Sequence, residues 1–427
     1  MIKKFDSKVL LWLYTLLFSL LVIVINKPIL LILVFMAYLI FLAILVKFDL
    51  THPYIWFMPF YFLYYSSHII LILFDINQIY QSSIYIYKIV WFSLIIMTLI
   101  IGTNKINYSR LKIDKHKFIY DYNNLIITWL CSLIACTYLV FNTFRSGATN
   151  KREMALQNSA SSYLIIFFSI LIISSALIII YRILKNNVFP WLFTIINLVF
   201  LLLVFLVNGE RNIILTYIIV VLLIYEQFYK KINKLLLISI GFCIIISIPL
   251  MQNAKNFLIT LEFNNTLSGN IIVDIIQSEF TSASLNLMKV VDNQTNLFFG
   301  KTLIWDIGRI FTDIYQSPTA WYNNLYFPKV VKTGGGRGFS ILAEGYINFS
   351  IFGILLWAAI LALIIKCIYS ISNKSYECLF IYLLCIPIII YILRADFAFL
   401  FSNFLKQILL PILLILLFNK IFKLRKV

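Results

Sequence analysis

Long apolar runs separated by short polar breaks fill this chain from one end to the other. Crossing a hydrocarbon core of about 30 Å takes roughly 17 residues or more. Runs of that kind fall at 9–26, 29–46, 54–74, 84–102, 124–142, 161–181, 191–207, 212–229, 235–251, 339–365, 377–393 and 397–418. Helices are the only open-ended elements that satisfy their own backbone in lipid. The pattern therefore predicts an all-α, polytopic integral membrane protein with about twelve transmembrane helices. Three connections are tight: Asn26-Lys27-Pro28, Asn208-Gly209-Glu210-Arg211 and Arg394-Ala395-Asp396. The expected organisation is a first membrane bundle over 1–251, a large extracytoplasmic loop over 252–338, and the last three spans with a basic cytoplasmic tail over 339–427.

The 252–338 segment breaks the rhythm. It mixes a helical-period patch from Ile271 to Met288 with aromatic stretches that include Trp305, Phe311, Tyr315, Trp321, Tyr322, Tyr326 and Phe327. It is too regularly patterned for a disordered linker and too apolar for an independent soluble domain. It is expected as a cap of short helices on the outer membrane surface. No internal repeat is visible, which argues against a transporter built from two similar halves.

Composition sharpens the class. Hydrophobic residues make up 62% of the 427 and charged residues only 12%, against about a quarter charged in a soluble domain. The net charge of +18 would suggest nucleic acid in a soluble protein. Here most basic residues sit between apolar runs, where their role is topological, and no nucleic acid is expected. With the N-terminus inside, 20 of the 35 Lys and Arg fall on the cytoplasmic side and seven in the long outer segment, which the rule exempts. The expected location is the bacterial cytoplasmic membrane, multi-pass, with both termini cytoplasmic. The 143–160 loop, with Arg145, Lys151 and Arg152, runs against this sidedness. The N-terminal run has no small-residue cleavage site before Asn26 and reads as a retained helix rather than a signal peptide. Six cysteines without a CxxC pair read as buried thiols, and three histidines have no metal-ligand spacing. No nucleotide fingerprint or Ser-His-Asp pattern occurs, so neither a metal nor a cofactor is expected.

Charges at membrane depth cost on the order of 2.5–3.5 kcal/mol each and need a reason. Glu210-Arg211 is an ion pair capping two helices or an anion contact through Arg211. Thr333-Gly334-Gly335-Gly336-Arg337-Gly338-Phe339-Ser340 leads into a helix carrying Glu344. Glycines let backbone amides approach an anion, and a helix start favours one. Glu344 would share a face with Arg337 if that helix reached back two turns. Arg394-Ala395-Asp396 is a cap or a second anion contact. Arg145 lies in an outer loop whose bland reading is solvation. Arg309, with Asp306 and Asp313 at helical spacing, fits either local salt bridges or a ligand. Guanidinium forks suit phosphate, so their recurrence at outer positions implies a phosphate or diphosphate ligand. Neighbouring aromatics suit sugar stacking.

Three places resemble one family. Asn208-Gly209-Glu210-Arg211-Asn212 resembles its short Gly-x-Arg turn between central helices. Glu344-Gly345-Tyr346-Ile347-Asn348-Phe349-Ser350-Ile351-Phe352-Gly353 resembles its E-x-Y-x-N-F-G-x-x-G helix start, with Ser350 in place of the first later glycine. Arg394-Ala395-Asp396 resembles an R-G-D-like turn, with Ala395 where Gly is usual. The chain as a whole resembles the Wzy-type O-antigen or capsular repeat-unit polymerases. The resemblance implies a GT-C-like glycosyltransferase that needs no metal or nucleotide sugar. Its substrates would be a polyprenyl-diphosphate-linked oligosaccharide donor and acceptor, joined at the outer membrane face among membrane lipids, with a chain-length regulator protein as partner. Arg211, Arg337, Arg394, Arg309 and Arg145 would then serve the diphosphate. Glu344, then Asp396, then Glu210 would be the bases for the attacking sugar hydroxyl. An O-antigen ligase would be expected to carry a histidine in the outer loop, and 252–338 has none. A flippase or exporter of lipid-linked oligosaccharide would need cations deep in a central cavity, where few occur.

Overall fold

The computed structural model describes residues 7–74, 83–106, 120–146, 166–208, 211–233, 280–293, 296–312, 314–332 and 337–424, with isolated positions between 236 and 276. Its helices, in chain order, are α1 (Ser7–Val24), α2 (Pro28–Leu45), α3 (Pro53–Trp56), α4 (Met58–Leu73), α5 (Ser83–Ile101), α6 (Tyr122–Ser146), α7 (Ile166–Asn186), α8 (Trp191–Asn208) and α9 (Arg211–Ile224). There follow α10 (Thr281–Asp292), α11 (Lys301–Phe311), α12 (Pro318–Tyr326), α13 (Pro328–Lys332), α14 (Ile341–Ile371), α15 (Tyr376–Tyr391), α16 (Phe397–Asn403) and α17 (Leu410–Leu424). No strand occurs among the described residues. Ten helical stretches are long and apolar enough to cross a membrane, and Trp191–Val207 is a shorter apolar one. These eleven fall on the expected runs, making this an all-α polytopic membrane protein. The remaining run, 235–251, lies mostly outside the described residues.

Contacts group the chain into two compact units. One comprises 1–107, 267–374 and 388–400; the other comprises 108–266, 375–387 and 401–427.

In the first unit α14 packs along α5, while α10 packs against α4 and α14. Pro28 opens α2 at a position where a missing N–H is harmless. The outward sides of α1 and α2 stay apolar, with Trp12, Leu16 and Ile40 exposed as a lipid-facing surface requires. Inside, hydroxyls satisfy one another. Tyr38 meets Thr15 at 3.0 Å and Thr98 at 2.9 Å. Ser67 of α4 meets Ser284 of α10 at 2.6 Å, fixing the rotation of α10. The Tyr65 hydroxyl lies 3.1 Å from Ser340 and donates to the Leu393 carbonyl at 3.2 Å, so α4 anchors two segments distant in sequence.

The expected single span 339–365 is in fact broken. Phe349 and Ser350 leave helical geometry at φ −139°, ψ 28° and φ 57°, ψ −142°. A straight helix would hold residues eight apart at about 12 Å. Instead the backbones of Gly345 and Gly353 touch, and a Cβ on either would run into the other's carbonyl. The first eight residues of α14 thus form a short helix folded back on the start of the long one. Its last carbonyls, orphaned by the break, accept from the Phe298 N–H at 2.8 Å and the Phe299 N–H at 3.2 Å. Hydropathy did not reveal this, because only Asn348 and Ser350 interrupt the apolar run at the break.

In the second unit α6 and α7 pack along each other, and α17 packs on α7 and α6. Its core includes Cys136, Leu139, Phe168, Leu171, Val204 and Tyr217. Polar ties fix the register: Trp129 donates to Asn197 at 2.9 Å, and Asn124 donates to Asn419 at 2.9 Å.

Candidate functional site: a cationic cluster beside a buried carboxylate group

The motif residues after the glycine-rich run explain themselves locally. Ser340 caps α14, its hydroxyl accepting from the Ala343 N–H at 3.4 Å. Glu344 and Asn348, four apart, share one face of the short helix. Both are fully buried. The Thr302 hydroxyl of α11 donates to Glu344 Oε1 at 3.0 Å. Asn348 donates to Thr302 at 2.7 Å and accepts from the Gly300 N–H at 3.0 Å. The motif's Glu and Asn therefore clamp the start of α11. Asp306, one turn beyond Thr302 on the same face, is also buried and lies close enough to act electrostatically on Glu344.

The other oxygen of Glu344 takes the Phe397 N–H at 2.9 Å. That bond fastens the Arg394-Ala395-Asp396 turn to the short helix. Asp396 is buried and caps α16, accepting from the Phe399 N–H at 3.1 Å. Its second oxygen takes the Thr319 hydroxyl at 2.6 Å and the Thr319 N–H at 3.1 Å. Asp396 also acts on Glu344 by charge. Three carboxylates from α11, α14 and the head of α16 thus form one buried group.

Beside them lies the cationic cluster. A Cβ on Gly338 would meet the Arg394 carbonyl at 2.7 Å and its Nε at 3.4 Å. Only glycine permits that approach, and it sets Arg394 against the residue that follows Arg337. Arg337 is exposed, with its guanidinium 4.5 Å from the Phe327 ring centroid. Its backbone is pinned by Asn323, which accepts from the Arg337 N–H at 2.7 Å and donates to its carbonyl at 2.8 Å. Arg394 stacks over Tyr391 at 5.0 Å, and Tyr391 stacks on Phe399.

One cation here escaped the sequence reading. Lys289 of α10 sits 4.3 Å from the centroid of the same Phe327 ring and 5.0 Å from that of Tyr326. Asn286, one turn earlier on α10, donates to the Gly338 carbonyl and accepts from the Tyr322 hydroxyl at 2.7 Å. Desolvation and then the nearby Arg337 charge hold the Lys289 ammonium below its usual range. The only signal in sequence was the Asn286 and Lys289 spacing, which many helices share.

A family model described as O-antigen polysaccharide polymerase Wzy matches residues 8–426. The chain belongs to this family. It is an O-antigen repeat-unit polymerase acting on lipid-linked oligosaccharide. No curated protein and no solved structure matches it.

For this polymerase the expected site residues divide. Arg337, Arg394, Glu344 and Asp396 come together in the first unit. Arg211, half-buried at the first turn of α9, and Arg145, exposed in the last turn of α6, belong to the second. Glu210, Gly334, Gly335, Gly336, Asp313 and the side chain of Arg309 lie outside the described residues. The expected helical face shared by Glu344 and Arg337 does not form, because α14 starts only at Ile341. Tertiary contact through Gly338 and Phe397 brings them into one site instead.

Proposed function

We propose that Arg337 and Arg394 hold the diphosphate of the polyprenyl-linked donor, and that the Glu344–Asp306–Asp396 group takes the proton from the acceptor sugar, with Glu344 at its centre. The reaction breaks the bond between the anomeric carbon and the diphosphate oxygen. The acceptor hydroxyl oxygen bonds to that carbon, its proton passes to the carboxylates, and polyprenyl diphosphate leaves. Fixed guanidinium groups stabilise the charge that grows on the leaving group. They take the part a metal ion plays elsewhere, so the glycosyl transfer proceeds without one. Asp396 is the second base. Trp305, Trp321 and Phe298, whose rings meet edge to face within 5.2 Å, offer sugar-stacking surfaces.

The observation that carries this reading is the contact of Gly338 with Arg394, which brings the segment carrying Arg337 against the Arg394 side chain, in the turn that also carries buried Asp396. The site lies on the outer face of the bacterial cytoplasmic membrane, with both termini in the cytoplasm and a chain-length regulator as protein partner. The test is polymerisation of a defined lipid-linked repeat unit by purified protein. Arg337→Ala and Arg394→Ala should each lower kcat/KM at least tenfold, and chelator should leave the rate unchanged. Wild-type ladders from both alanine variants at normal protein level would overturn the assignment.

A further inference from the structure

We infer that Lys289 is a third ligand of the donor's diphosphate, completing a site with Arg337 and Arg394. This rests on the diphosphate reading above and adds a residue on a separate helix. The argument begins with repulsion. Lys289 and Arg337 place their charges over one Phe327 ring, at 4.3 and 4.5 Å from its centroid. Two like charges against one ring repel each other, and an anion that contacts both relieves that repulsion. Desolvation first, and then the Arg337 charge, lower the proton affinity of Lys289, and the second of these is the same repulsion seen from the lysine.

The placement is built. Ser67 bonds Ser284 and so sets the rotation of α10. Asn286 then bonds the Gly338 carbonyl, locking α10 to the residue on which Arg394 packs. Lys289 lies one turn further along that face. Phe327 and Tyr326 give its ammonium a partial resting place through ring contacts, which are weaker than charge-assisted hydrogen bonds to phosphate. Three cations from α10, the segment before α14 and the turn before α16 suit a doubly phosphorylated group better than a single phosphate. The ligand class is therefore a lipid diphosphate, with inorganic pyrophosphate as its soluble mimic.

The experiment measures binding of undecaprenyl diphosphate to the full-length polymerase in nanodiscs, with competition by inorganic pyrophosphate and inorganic phosphate. Lys289→Ala should weaken binding about tenfold, and Lys289→Arg should restore it to within about threefold. Pyrophosphate should compete better than phosphate, and raising salt should narrow the gap between wild type and Lys289→Ala. Thermal midpoints of both variants near wild type show that the fold is kept. Should Lys289→Ala lower the midpoint, Lys289→Gln, which keeps most of the stem, carries the same comparison. Wild-type affinity in Lys289→Ala, with weakened binding in Arg337→Ala, overturns the role of Lys289 and leaves the diphosphate reading standing. Unchanged binding in Lys289→Ala, Arg337→Ala and Arg394→Ala overturns both.

Discussion

The Phe397 N–H donates to Glu344 Oε2 at 2.9 Å, and this single bond joins the short buried helix of α14 to the turn that carries Arg394 and Asp396. Glu344 is thereby placed between the two halves of the site. One oxygen holds α11 through Thr302 and the other holds the head of α16. Each keeps a further lone pair for a proton.

Glu344→Gln should expose that double duty. An amide has one acceptor oxygen and turns its NH2 toward a donor, so either Thr302 or Phe397 loses its partner. A stability loss of about 1–3 kcal/mol is expected, together with loss of polymer. Thr302→Val removes two bonds, the one it donates to Glu344 and the one it accepts from Asn348, and should cost about 1–3 kcal/mol while leaving ladders visible. Thermal unfolding and chain-length ladders measured on the two variants separate the roles; full activity in Glu344→Gln would remove it as the proton acceptor.

Gly338→Ala should act through Arg394. The new methyl would press on the Arg394 carbonyl at 2.7 Å, and backbone cannot swing aside as a side-chain tip can. A loss of about 1–3 kcal/mol is expected, with weakened donor binding. In a double-mutant cycle on donor affinity, Arg394→Ala should add little once Gly338 is replaced, because the displaced Arg394 no longer reaches the donor. Full additivity in donor affinity would show that Gly338 does not position the arginine.

Ser350→Gly should stabilise the protein. Ser350 sits at φ 57°, in the region that favours glycine, where the related motif itself has glycine. Relief of about 1 kcal/mol is expected. Gly345→Ala or Gly353→Ala should do the opposite, since the two backbones touch. Denaturation midpoints check both, and a lower midpoint for Ser350→Gly would count against the fold-back.

His52 makes stability depend on pH. Burial, and secondarily the charge of Lys105, pushes its imidazole down from 6.5 to about 3. The neutral ring caps α3, with Nδ1 accepting the Tyr54 N–H at 3.2 Å. The folded state binds the proton less readily than the unfolded one, so this contribution is full above pH 6.5 and is lost as pH falls from 6.5 toward 3. Thermal midpoints should drop over that window in wild type. His52→Asn keeps a capping oxygen without the titration and should flatten the drop. Parallel curves for the two proteins would show that His52 does not drive it.

Much of the fold was legible beforehand. Eleven of the apolar runs became apolar helices near their expected ends. The sequence also drew attention to Arg337, Glu344, Arg394 and Asp396 as charges out of place, and these four share a unit. Lys289 went unnoticed because it looked like any lysine on a short helix. Asp306 was read as part of a local salt-bridge pattern, whereas it is buried and acts on Glu344.

Spans were readable because apolar length is a local, one-dimensional property, and lipid imposes the helix on any run long enough. The break at Phe349 and Ser350, the contact of Gly338 with Arg394 and the sharing of Phe327 by Lys289 and Arg337 were set by packing. Each depends on where one segment's backbone lies relative to another far along the chain. Apolar spacing constrains a helix's own face, but it carries no information on which distant carbonyl that face will meet.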